Sequence, residues 1–250
     1  MSLSALCDWN YMVFDLLFIL LSSVYLFFKD RKIINKILKR ILPVPVLTFM
    51  FLSPLIAPMV LAGLKQLFLG DLTGHDIYVA DVFGFFVPDP YHWAYSISGW
   101  IRRINDTMTG NHWEKTVYLG LANIILILVA ARWTWKECGK YWLGLGAFMV
   151  LAMGVTPHFL GRSLPFPLPY HLIREIPFLT QARNPSRIIV YAYLFLAILA
   201  AFSVKKISSS LRPGSFSKII FPVIFLAVFF DFYSVSTAMT PVALPPGYAA

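Results

Sequence analysis

Along the chain, long apolar runs alternate with polar stretches, and the runs contain very few charges. They fall at about 11–28, 41–64, 115–131, 141–155, 188–204 and 219–235. A helix needs about 20 apolar residues to cross a hydrocarbon core about 30 Å thick, so the pattern predicts six membrane-spanning helices that alternate in direction. The fourth run is short and is expected to extend through Thr156 and Pro157 or to tilt little. The fold class this implies is all-α: a polytopic transmembrane bundle, one membrane domain over residues 1–250. Two long loops, 65–114 and 156–187, are expected to carry interfacial helices.

Details within the runs refine this picture. Pro43, Pro45, Pro54 and Pro58 fall in the second run, where each removes a backbone hydrogen bond. Membrane helices accept such residues when packed against neighbours, so a kinked packing helix is expected. Gly144 and Gly146 in the fourth run suit close helix contact. Asp15 and Asp231 lie within the first and sixth runs, near the predicted outer ends. Carboxylates there face protein or water, so each reads either as interfacially solvated or as facing an outer cavity.

Composition excludes a soluble domain. The apolar fraction is 58% and the charged fraction 13%, against about 25% charged in soluble proteins, and the mean hydropathy is +0.70. A net charge of +9 raises the question of nucleic acid, but the placement of the charges answers it. Thirteen of the 21 basic residues sit in three short stretches. These are Lys29 to Arg40, then Arg132, Lys136 and Lys140, then Lys205, Lys206, Arg212 and Lys218. The positive-inside rule makes those stretches cytoplasmic, which puts both termini and both long loops outside an inner (plasma) membrane. No nucleic-acid partner is implied.

Cys7 and Cys138 then lie on opposite sides and cannot pair, and no Cys/His cluster has metal-ligand spacing. Walker-type, dinucleotide and HExxH motifs are absent from the sequence, so neither a metal nor a cofactor is expected. The start MSLSALCDWN lacks the features of a signal peptide, and the end PVALPPGYAA is Pro-rich. Both suggest a piece of a longer membrane protein.

The candidate chemistry is in the long loops. In the first, Trp93, Ile97, Trp100, Ile101 and Ile104 recur at helical spacing, as in a helix lying in the headgroup region. The loop also holds Asp81, Asp89, His92 and Glu114, and a glycosylation sequon at Asn105-Asp106-Thr107. In the second, Pro165, Pro167 and Pro169 enforce an extended entry, and Tyr170 to Ile176 is expected to form two helical turns stopped by Pro177. Arg183 and Arg187 flank Asn184-Pro185-Ser186 ahead of the fifth run, on the side expected to be poor in basic residues. Two guanidiniums beside unpaired helix N-terminal amides suit a lipid phosphate. The plainer alternatives are ordinary headgroup contact or pairing with Asp81, Asp89 or Glu175. All five histidines, His75, His92, His112, His158 and His171, fall in the two loops, where they serve either as amphipathic surface groups or in acid-base chemistry.

Three segments carry a resemblance: YVADVFGFFVPDPYH, WEKTVYLGLANIILIL and LGRSLPFPLPYHLIREIPFLTQARNPSRIIVYAYLFLAILAAF. In that order they resemble the later part of C-type (GT-C) glycosyltransferase-like membrane proteins of bacteria and archaea, over most of the chain. The resemblance implies transfer of a sugar from a polyprenyl-phosphate donor to a glycan, lipid or protein acceptor at the extracytoplasmic face. The catalytic carboxylate of such proteins lies in an N-terminal loop that this chain is expected to lack, leaving the fragment inactive alone. Residue by residue, Arg183 and Arg187 match the phosphate-holding role. Asp81, Asp89, His92 and Glu114 are the remaining candidates for base catalysis or for sugar hydroxyls. The competing reading is a lipid or polysaccharide transporter or a non-catalytic assembly subunit. No internal repeat or polar broken helix near the midplane supports transport, and no filter or voltage-sensing sequence supports a channel.

Overall fold

The computed structural model describes residues 9–29, 39–40, 43–64, 74–110, 114–115, 117–175, 184–210 and 215–234. They are mostly helical. Helices α1 (Trp9–Lys29) and α2 (Pro43–Leu64) occupy the first two apolar runs. The first long loop holds α3 (Gly74–Ile77), a 3₁₀ turn at Val82–Phe85, α4 (Trp93–Ile97) and α5 (Gly99–Thr107). Next come α6 (Leu121–Ala152), a hairpin of β1 (His158–Phe159) and β2 (Arg162–Ser163), and α7 (Tyr170–Arg174). A 3₁₀ turn at Pro185–Ile188 opens α8 (Ile189–Ser210), and α9 (Ser215–Asp231) follows. Two described helical stretches, Asn10–Lys29 and Pro185–Ser210, are long and apolar enough to cross a membrane, and Ile219–Asp231 is a shorter apolar helix.

One difference from the sequence reading concerns residues 132–140, expected to form a loop between two spans. The backbone there is helical, and helical residues run from Leu121 to Ala152. A straight helix of that length would be about 48 Å long. Yet Leu119 N–H donates to the Phe85 carbonyl at 3.0 Å and Ala80 N–H donates to the Ala152 carbonyl at 2.9 Å. Residues 80 and 85 can be at most about 18 Å apart, so α6 must double back. Its contacts with α8 agree. Tyr118, just ahead of α6, accepts from the Tyr193 hydroxyl at 3.1 Å, while Asn123 and Leu126 line a cavity with Tyr193, Leu196 and Ala200. This first leg therefore runs parallel to α8. In the second leg Phe148 stacks on Tyr191 with centroids 5.1 Å apart, and Tyr141 lies 5.8 Å from Phe202, which is antiparallel. The two legs are present, and the reversal between them is made in helical backbone.

An aromatic cluster joins α1, the second leg of α6 and α8. Phe18 packs on Phe148, Tyr191 and Phe195 at centroid distances of 5.9, 5.3 and 6.0 Å, contacts that add to plain area burial. Gly144 admits Phe195: a Cβ there would lie 2.6 Å from its ring. Tyr191 also donates its hydroxyl to the Asp15 carboxylate, which ties that group to α8. These contacts sort the helix termini into two levels. Asp15, Tyr118, Ala152 and Ile189 lie toward the long loops, and Lys29, Lys140 and Phe202 lie at the opposite, basic end.

At the loop end the second loop is strung back onto the first. Leu168 N–H donates to the Val155 carbonyl at 2.7 Å and Leu164 N–H to the Pro157 carbonyl at 2.8 Å, so the Pro-rich stretch is extended but anchored. The β1–β2 hairpin closes with a two-residue turn, Leu160-Gly161, in which both residues have positive φ, 49° and 78°. That is the requirement of a type I′ turn. Gly161 is forced twice over, because an added Cβ would lie 2.0 Å from the Thr107 carbonyl oxygen. Replacing Gly161 with Ala is expected to destabilise the protein by about 3 kcal/mol or more, read as a lowered unfolding temperature in detergent. An unchanged temperature would show that the hairpin does not dock on Thr107.

Candidate functional site

Asp81, a sequence candidate for catalysis, is instead a structural anchor. It is 2% exposed. Its side chain accepts from Phe83 N–H at 3.0 Å, capping the 3₁₀ turn, and from Leu160 and Gly161 N–H at 3.1 and 2.8 Å. A buried carboxylate is tolerated when its oxygens are satisfied in this way, and here it fixes the hairpin turn to the first loop. Phe83 and Phe159 seal the junction edge to face, 5.0 Å apart.

His92, the second candidate, is also committed to structure. Its Nδ1 accepts from Ala94 N–H at 3.1 Å as the N-cap of α4, so the ring proton lies on Nε2, which donates to the Asp231 carbonyl at 2.8 Å. Trp93 Nε1–H donates alongside it to the Phe230 carbonyl at 2.9 Å. Together they hold the C-terminal end of α9 to the first loop. The Asp231 side chain accepts from the Tyr118 hydroxyl at 2.8 Å and from Ala122 N–H at 2.7 Å. It thus satisfies an orphan amide at the start of α6 rather than facing a cavity.

Glu114 is 6% exposed. It accepts from the Ser186 hydroxyl at 2.6 Å and from Arg187 Nη2 at 3.4 Å. Among the described residues Arg187 is thus partnered by Glu114, while Glu175 pairs with Arg174 at 3.1 Å. The Arg187 side chain is half-buried and lines a cavity of about 280 Å³ with Tyr11, Glu114, Ser186, Val190 and Tyr193. Arg183 lies outside the described residues.

Asp89 differs from the other carboxylates. One oxygen accepts from Tyr91 N–H at 2.8 Å. The group lines a cavity of about 620 Å³ with Tyr118, Asn123 and Tyr193 at its loop end, and with apolar residues of α8 and α9 such as Ala197, Ala200, Phe221 and Phe225 beyond. Burial raises its pKa above 3.8 despite the Tyr91 bond and the neighbouring His92, because desolvation disfavours the charged form. Tyr193 is common to the linings of the Asp89 and Arg187 cavities. The structure thus brings Asp89, Glu114 and Arg187 to one end of α8. Ser186, Tyr118 and Tyr193 complete the arrangement, and no pattern in the sequence singled them out.

The other histidines divide. His158 is buried between the hydroxyls of Thr109 and Thr156, at 2.8 and 3.4 Å, and burial lowers its pKa below 6.5. His171 lies 3.3 Å from Arg174. His112 and the side chain of His75 lie outside the described residues. The sequon is not usable in this fold: Asn105 is 1% exposed and its Nδ2 donates to the Pro88 carbonyl at 2.6 Å. The Trp-rich stretch forms two helices broken at Ser98, with Ile101 buried and Ile97, Trp100 and Trp93 exposed.

Comparison with family models, with curated proteins and with solved structures finds no match to this chain.

The Asp89 environment sets a pH dependence. A carboxyl whose folded pKa is raised holds its proton more tightly in the native state, so stability falls as pH rises from 3.8 through the folded value. Asp89→Asn keeps the acceptor for Tyr91 and removes the charge. The variant is expected to unfold at a higher temperature than wild type at pH 7 and at the same temperature below pH 3.8. Equal unfolding temperatures at both pH values would place Asp89 in contact with bulk water.

Proposed function

We propose that the chain forms six membrane spans, the two legs of α6 counting separately, and binds a polyprenyl-phosphate sugar at its extracytoplasmic end. The observation that carries the reading is the pairing of two features about one residue, Tyr193. Arg187, held by Glu114, supplies positive charge on one side, and an apolar cavity of about 620 Å³ with a polar loop end opens on the other. An isoprenoid chain suits the apolar part, and a guanidinium suits the phosphate. The basic stretches support the orientation, and the exposed Ile97 and Trp100 suit a headgroup layer beside the long loops.

In the glycosyltransferase-like chemistry that the sequence resemblance implies, the acceptor hydroxyl gives its proton to a base. The acceptor oxygen bonds to the anomeric carbon of the sugar as that carbon's bond to the phosphate oxygen breaks, and the phosphate keeps the electron pair. Arg187 would stabilise that departing phosphate. Asp89 is the candidate that remains for a sugar hydroxyl or the acceptor proton, with its carboxyl at the polar end of the cavity. The second reading, a non-catalytic lipid-handling subunit or transporter, has its own support: Asp81 and His92 are spent on backbone groups and Glu114 on Ser186 and Arg187.

Binding of a polyprenyl-phosphate sugar to the detergent-solubilised chain tests the proposal. Glu114→Gln with Arg187→Gln removes both charges together and leaves neither one buried alone. The double variant is expected to bind about 10- to 100-fold more weakly, the worth of a charge-assisted hydrogen bond; unchanged binding removes Arg187 from the phosphate role. Transfer activity of the chain that Asp89→Asn abolishes would favour the enzyme, and absence of transfer activity in the wild type the subunit. Orientation has its own check in a background of Cys7→Ser and Cys138→Ala. An impermeant thiol reagent is expected to label Ile97→Cys in intact cells and Ser209→Cys only after permeabilisation.

A further inference from the structure

A second amphiphilic cavity lies at the opposite end of the helices from the loops. It has a volume of about 880 Å³ and runs between α1, the second leg of α6 and α8. Its walls are apolar and aromatic, with Phe18, Tyr25, Tyr141 and Phe195 among them. Its far end is bounded by two exposed cations, Lys29 and Lys140. Both lysines are held over rings, Lys29 Nζ 5.9 Å from the Tyr25 centroid and Lys140 Nζ 4.7 Å from the Tyr141 centroid, so their ammonium groups stay at the mouth. Lys29 also ends α1, where the helix dipole already favours a cation. The lips carry exposed Phe28, Val24 and Leu143, which water would not cover favourably.

We propose that this cleft is a binding site for an anionic phospholipid of the cytoplasmic leaflet, its acyl chain lying along the aromatic wall and its phosphate between Lys29 and Lys140. Charge complementarity selects the headgroup, because two cations at one mouth favour a net-negative lipid over a zwitterionic one. The apolar length of the cleft selects a lipid over free phosphate, which would leave the aromatic wall uncovered. This leaflet assignment rests on the membrane orientation proposed above, whereas the site is separate from the Arg187 end and shares none of its lining residues.

The test uses the full chain in nanodiscs of phosphatidylcholine, titrated with phosphatidylglycerol and followed by native mass spectrometry of the released complex. Wild type is expected to retain phosphatidylglycerol about tenfold over phosphatidylcholine, from two surface lysines. Lys29→Gln with Lys140→Gln is expected to abolish the preference, and Lys29→Arg with Lys140→Arg to keep it. Ala147→Trp, which fills the cleft, is expected to lower retention of both lipids. Equal retention of the two lipids by wild type, or an unchanged preference in the glutamine variant, overturns the site. Competition by inorganic phosphate as effective as by phosphatidylglycerol overturns the lipid assignment. Failure of the chain to enter nanodiscs at all would instead contradict the membrane reading on which the leaflet rests.

Discussion

The loop end of this protein depends on one buried carboxylate. Asp81 takes up three backbone amides, two of them from a hairpin turn 79 and 80 residues further along the chain. Each such charge-assisted bond contributes about 1.5–3 kcal/mol, and the bonds act where the backbone needs help. Leu160 sits at a φ of 49°, a conformation unusual for a residue with a branched side chain. By fixing that turn, Asp81 brings residues 155–163 against the first loop. The Ala80–Ala152 hydrogen bond next to it then sets where the second leg of α6 ends.

The same device recurs around the loop end. His92, Asp231 and Glu114 each connect segments distant in sequence, and each does so with hydrogen bonds that satisfy a buried polar group. A surface that presents many acidic and imidazole groups in sequence therefore presents far fewer for chemistry in the fold. Among the described residues, Asp89 lines one cavity and Arg187, with its partner Glu114, another, on either side of Tyr193. Fold and site are coupled through α8, whose opening turn carries Arg187 and Ser186 and whose next turn carries Tyr193.

Much of the helical framework was legible because apolar runs of this length have one economical backbone solution. The reversal in α6 was legible as a change of direction, since Arg132, Lys136 and Lys140 mark a polar end. Its helical backbone was not, because charge reports exposure and not φ and ψ. A carboxylate one residue ahead of a 3₁₀ turn, as Asp81 is, can be read as a cap, but its amides in the second loop cannot, being too remote in sequence. The pairing of Arg187 with Glu114 was hidden for the same reason. The sequon at Asn105 shows the converse: a local motif is complete in sequence and cancelled by burial.

The described parts of the two long loops form one docked unit, held by Asp81, on which the candidate site is built. Hydrogen exchange by mass spectrometry on the membrane-reconstituted chain tests it most directly, comparing wild type with Asp81→Ala. Slow exchange is expected in wild-type peptides covering 79–87 and 155–168, with joint loss of that protection in the variant and retained protection in α8. Fast exchange of 155–168 in wild type, or identical protection in the two proteins, would contradict it.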